Sequence, residues 1–217
     1  MVYIGAREIT SAEDKGIWSH RNALPIWNWQ AGSKIKIDCY TNCQEVELFL
    51  NGRSLGKQAR NATAGHMPSW QVDYEPGELV VKAFNNGIEV CRNVIKTAGE
   101  ASQLKALPDN ALFAAKTKGL SQVEIAINDN KGNPVFKADN EITVSVTGPG
   151  KLIGLESGST TSHEDYKGAQ SKALNGRLLA YIQTNGTAGK IQVLVSSPGL
   201  KPASIILIVK QPNSIQL

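Results

Sequence analysis

A chain of 217 residues has room for one large or two ordinary domains. Its 41% hydrophobic and 19% charged residues fit globular cores and exclude a disordered chain. The net charge of +4 is spread thinly, with no basic stripe, which argues against a nucleic-acid partner, and no stretch approaches the ~18 apolar residues of a membrane helix.

Residues 1–22 read as a mixed lead-in, with a short helical turn over Ala12–Lys15 capped by Ser11 and no domain beginning before Leu24. The opening MVYIGAREIT lacks the basic start and apolar core of a signal peptide. Both a cytoplasmic protein and a piece of a larger exported chain fit this, so the compartment stays open. In LPIWNWQAG, Trp27 and Trp29 share one face if extended. Core packing is favoured there over sugar stacking, because Trp is mostly buried in folded proteins.

Lys34–Thr41 alternates, with Ile35, Ile37 and Cys39 inward and Lys34, Lys36 and Asp38 outward: a half-solvated antiparallel strand. In EVELFLNGRSLG, Val46, Leu48 and Leu50 alternate with Glu45, Glu47 and Phe49 and run into Asn51-Gly52. That is a strong hairpin signal, since a type I′ turn needs φ > 0 at both central residues. Trp70, Val72 and Tyr74 form the next inward face, Pro76-Gly77 a turn, and Asn85-Asn86-Gly87 a second hairpin. Ile88–Lys96 closes the unit, and the break in alternation at Arg92 predicts a bulge or a strand changing sheet. About seven short strands with frequent turns read as an immunoglobulin-like β-sandwich over 23–99.

Thr97-Ala98-Gly99 marks a boundary, and a second sandwich is expected over 100–217. Its strands lie at Ser102–Leu107, Val123–Ile127, Ile142–Val146, Leu178–Thr184, Lys190–Ser196 and Ala203–Lys210. Turn chemistry is dense in DNKGNP at 129–134, a polar loop fills 156–170, and the tail QPNSIQL reads as frayed. The fold class is therefore all-β, two tandem immunoglobulin-like β-sandwich domains.

Catalytic chemistry is sparse. There is no phosphate-binding glycine loop and no GxSxG elbow. His20, His66 and His163 are scattered, and only His163 has acidic neighbours, in Ser162-His163-Glu164-Asp165-Tyr166. A polar loop facing solvent or a neighbouring domain is favoured there over a catalytic or Ca²⁺ site. Three cysteines without a Cys-x-x-Cys pair argue against zinc. Buried free thiols are the favoured reading, with a bridge from Cys39 or Cys43 to Cys91 as the alternative. No cofactor is expected.

The order WNW, then YTNCQEVELFLNGRSLG, then WQVDYEPGELVVKAFNNG and KTAG resembles the β-sandwich that follows the catalytic barrel in bacterial family 2 glycoside hydrolases, the β-galactosidase group. The second unit resembles their terminal immunoglobulin-like domain through Asp129–Pro134, Gly148-Pro149-Gly150, Ser162-His163-Glu164 and Asn175-Gly176-Arg177. The resemblance implies a retaining, exported or periplasmic parent whose two catalytic glutamates lie on a (β/α)₈ barrel. This chain has no βα alternation, so no catalytic residue carries over. The expected role is non-catalytic: support, rim or oligomer contacts, with the barrel as partner. The alternatives are an adhesin-like tandem and a carbohydrate-binding module taking a glycan at Trp27, Trp29, His163 or Glu164.

Overall fold

The computed structural model describes residues 1–9, 23–60 and 67–211. The helical turn expected at Ala12–Lys15 and the tail after Gln211 lie outside them. The chain divides into two compact units, Met1–Ala98 and Gly99–Leu217.

Among the described residues the first unit is a sandwich of seven strands. β1 (Val2–Glu8), β2 (Lys34–Thr41) and β5 (Ser69–Asp73) form one sheet in the order β1-β2-β5. β3 (Glu45–Leu50), β4 (Arg53–Ala59), β6 (Glu78–Asn85) and β7 (Ile88–Lys96) form the other in the order β4-β3-β6-β7. All pairings are antiparallel. Alternation decides what fills the space between the sheets: Ile35, Ile37 and Cys39 of β2 meet Val46, Leu48 and Leu50 of β3 and Leu79, Val81 and Ala83 of β6, all buried. The turns at Asn51-Gly52 and Asn86-Gly87 have positive φ at both residues (51° and 81°, 51° and 78°), as the hairpin signals required.

Two expectations are corrected here. The lead-in is not outside the domain: β1 pairs with β2 along its whole length and buries Val2, Ile4 and Ala6, while Leu24 only bridges Ala6. Seven residues of near-continuous burial lack the alternation that marks a strand, so β1 was hidden in the sequence. Asp38 is not solvated either. It is buried beside Arg7 of β1, with Nε and Oδ2 4.0 Å apart, on the sheet face opposite the core. The outward face of β2 is thus covered at Asp38, and the buried charge is matched by one of opposite sign.

Among the described residues the second unit contains nine strands. β8 (Gln103–Pro108), β10 (Leu120–Asn128), β12 (Gly150–Glu156) and β14 (Arg177–Thr184) form a sheet ordered β12-β14-β10-β8. β9 (Leu112–Ala114), β11 (Glu141–Thr147), β13 (Gln170–Lys172), β15 (Gly189–Ser196) and β16 (Ala203–Lys210) form one ordered β13-β11-β15-β16-β9, in which β9 joins β16 in parallel. Ile125, Ile127, Ala180, Ile182, Val193, Val195 and Leu207 fill its core. β12 alternates in burial, but glycines stand at its inward positions 150 and 154 and Ile153 is exposed, so its sequence shows no apolar period; a register shift with β14 lies between Leu152 and Gly154. β9 and β13 are only three residues each, too short for a periodic signal.

Candidate functional site

Trp27 is fully buried in the first core. Its ring meets Tyr74 edge-on, with centroids 5.4 Å apart and planes at 66°. Its Nε1 donates to Glu75 O at 2.9 Å. No face of this ring is open to a pyranose. Trp29 is half-buried and packs against the same core.

Around Trp27 the sequence motifs converge. Thr97 Oγ1 donates to Trp27 O at 2.8 Å and accepts from Gly77 N at 2.9 Å, and Tyr74 OH lies 3.2 Å from Thr97 Oγ1. The Asn28 amide holds Ala98 on both sides: Nδ2 donates to Ala98 O at 2.7 Å, and Ala98 N donates to Oδ1 at 2.9 Å. At the hairpin tip Asn51 Oδ1 accepts from Glu78 N at 2.9 Å and Nδ2 donates to Pro76 O at 3.1 Å. Residues far apart in sequence therefore close one hydrogen-bonded node. Its role is to fix the exit strand and two turns.

In the second unit Asp129 organises the DNKGNP turn. Its carboxylate accepts from Gly99 N, Lys131 N, Asn133 N and Asn133 Nδ2 at 2.8–3.0 Å. Burial alone would raise its pKa, but these hydrogen bonds, led by Gly99 N–H, outweigh it and bring the carboxyl from 3.8 down to about 2. A depressed folded value means the stabilisation is present above the unfolded value and is lost as pH falls through about 2. Thermal unfolding of wild type should therefore weaken steeply between roughly pH 4 and 2. Asp129→Ala should be less stable by about 2 kcal/mol at neutral pH, since it strands buried N–H donors, and should respond less to acid over that interval. Equal acid slopes for the two proteins would contradict this assignment.

His163 and Glu164 lie in the 157–169 loop of the second unit, and Trp27 and Trp29 in the first unit. His163 is exposed. Glu164 is committed to β13: Ser171 Oγ donates to its Oε2 at 2.6 Å, and Lys172 N donates to the carboxylate at 3.2–3.3 Å. It anchors the loop. His20 and His66 fall outside the described residues.

One surface the sequence did not single out is an open groove of about 340 Å³ beside β10, β12 and β14, lined by Glu124, Glu156, Ser157, Gly158, Arg177, Leu178 and Leu179. Its polar groups are engaged with one another: Arg177 with Glu124, and Tyr181 OH donating to Glu156 Oε2 at 3.1 Å. Burial and the Glu156 carboxylate raise the Tyr181 phenol above its usual pKa. Glu124, Glu156 and Arg177 come from three different strands, so no local spacing in the sequence marks them as a group. Among the described residues no group of three or more His, Cys, Asp and Glu is placed to hold a metal.

Comparison with known proteins follows the same division. Residues 104–206 match the glycoside hydrolase family 2 C-terminal domain 5, and residues 32–91 match a domain of unknown function, DUF4982. The chain is 36% identical over 190 residues to the β-galactosidase BoGH2A of Bacteroides ovatus, covering 86% of this chain and 22% of that protein. A β-glycosidase from Bacteroides vulgatus superposes with a TM-score of 0.81 at 28% identity, over 86% of this chain and 24% of that one. A glycosyl hydrolase family 2 member from Bacteroides cellulosilyticus gives 0.82 at 28% identity, over 96% and 28%. This chain thus spans about a quarter of the length of the proteins it matches. The chain is thus similar to the C-terminal β-sandwich domains of bacterial family 2 glycoside hydrolases, its second unit through the family model and both units through relatives 28–36% identical.

Proposed function

We propose that the two sandwiches are a non-catalytic accessory module of a retaining glycosidase, which they serve by packing against its catalytic barrel. The observation that carries this is an apolar row on the outer face of the five-stranded sheet. Ile206 and Ile208 of β16, Leu194 of β15 and Leu112 of β9 are all exposed, Ile206 at 53%, and Ile208 pairs directly with Leu112. The alternating position on β16 would be polar if that face met only water. The fraction of the relatives' length that this chain spans is consistent with a barrel elsewhere in a parent protein.

The isolated chain should hydrolyse no aryl β-galactoside or β-glucuronide. Replacing Ile206 and Ile208 together by Lys should change the isolated chain's stability by less than about 0.5 kcal/mol, as for surface sites. In the barrel-containing parent the same pair should lower the melting temperature by several degrees. Turnover by the isolated chain, or an unaffected parent, would remove the proposal. Glycan binding, the runner-up, is tested by calorimetry of the chain against a glycan panel. With Trp27 buried, it would need another platform.

A further inference from the structure

Cys43 and Cys91 are 48 positions apart in sequence, yet their Sγ atoms lie 3.9 Å apart. Two features create this approach. Cys43 sits in the Asn42–Gln44 crossover, where the chain leaves the β1-β2-β5 sheet for the β4-β3-β6-β7 sheet. On β7, a register shift pairs Cys91 with Ala83 but Glu89 with Phe84, leaving Val90 as the extra residue of a bulge. The bulge keeps Cys91 against the core, in the same rung as Val46–Ala83, three residues beyond Cys43.

We propose that Cys43 and Cys91 are a disulfide-forming pair, which on oxidation staples the crossover between the two sheets to the edge strand β7. Closing the gap to a bonded separation of about 2 Å is within the reach of side-chain rotation. The third thiol, Cys39, is excluded by position: it is fully buried in the core. Burial first, and then the neighbouring Cys43 and Cys91, push its pKa to about 12, so it supplies no thiolate. For Cys43, burial acts upward but is outweighed by hydrogen bonding with Thr41 and Cys91 and by the Met1 ammonium, and its pKa is lowered. Cys91 is half-buried and offers the point of entry, while Cys43 is nearly enclosed.

The oxidant is a low-molecular-weight disulfide. The Cys91 thiolate attacks one of its sulfurs and expels the first thiolate. The Cys43 thiolate then attacks the Cys91 sulfur of the mixed disulfide and expels the second. Two protein thiols are oxidised, one external disulfide is reduced to two thiols, and the two protein protons end on those leaving groups.

The test uses the intact chain incubated with oxidised glutathione. The expected product has lost two hydrogens by mass. Trypsin without reduction should join Ile37–Arg53 to Ala83–Arg92, with fragmentation placing the link at Cys43, since Cys39 shares that peptide. The unfolding transition of the first unit should rise by about 10 °C, because the staple closes a long loop in the unfolded chain. Cys91→Ser, at a half-buried position, should keep the fold, lose the linked peptide and melt like reduced wild type. A persistent glutathione adduct at Cys91, a link through Cys39, an intermolecular dimer, or a linked product with no rise in melting temperature would each overturn the proposal.

Discussion

Trp27→Ala will destabilise the first unit by about 4 kcal/mol, the range for deleting a buried aromatic. The substitution empties the space against Tyr74, strands Glu75 O and loosens the backbone that receives Thr97. In a unit of this size that is a fall of more than about 10 °C in its melting transition. Trp27→Phe keeps the edge contact and loses only the Nε1 bond, so its cost should be nearer 1–2 kcal/mol. Differential scanning calorimetry of the three proteins checks the order. A Trp27→Ala variant with wild-type stability would mean that the ring is on the surface, and would restore the sugar-stacking reading.

The second large effect is expected at Gly77. Its φ is +140°, a conformation that side-chain-bearing residues rarely adopt, and a Cβ there would collide with Asn51 Oδ1. Gly77→Ala should therefore cost about 3 kcal/mol: backbone strain, plus the two hydrogen bonds that the displaced Asn51 amide makes to Glu78 N and Pro76 O. Asn51→Gly keeps the positive φ of the turn and removes the amide, for about 1 kcal/mol. Combining the two relieves the collision, so the double variant should be more stable than the sum of the single losses implies. Strict additivity in denaturant melts would show that the hairpin tip and the Pro76-Gly77 turn do not support one another.

Together these results bear on why the motifs occur together. WNW, LNG, Y-x-PGEL and KTA are separated by tens of residues. Each supplies one part of the node: the buried ring of Trp27, the amide clamps of Asn28 and Asn51, the turn glycine Gly77 and the shared hydroxyl of Thr97. The family resemblance rests largely on residues that build a fold.

Legibility followed the range of the interaction. Val46, Leu48 and Leu50 were readable because a half-buried strand writes its burial in period two. Asn51-Gly52 and Asn86-Gly87 were readable because a two-residue turn is decided by the φ its own residues tolerate. The all-β class, the boundary near Gly99 and the polar 157–169 loop follow from the same local rules. β1 was missed because a strand buried on both faces carries no period, and β12 because Gly150 and Gly154 occupy inward positions while Ile153 is exposed.

The sites were less legible. Trp27 and Trp29 carry the same local signal for a core and for a sugar platform, and only burial separates them. Glu164 looked available until Ser171 and Lys172, from β13, engaged it. Asp38 obeyed the alternation and was buried all the same, beside an arginine from a strand the sequence had not marked.

By itself, then, the sequence determined the strands that alternate, the turns that need Asn-Gly, and the family. These depend on backbone periodicity and on φ preferences of adjacent residues. The tertiary structure alone decided that Trp27 is core, that four separated motifs share one node, and that Cys43 and Cys91 meet across 48 residues. Such contacts are set by sheet order, which neither composition nor spacing encodes, and by a bulge in β7 that the sequence suggested at Arg92 and the structure places at Val90, Arg92 pairing regularly with Lys82.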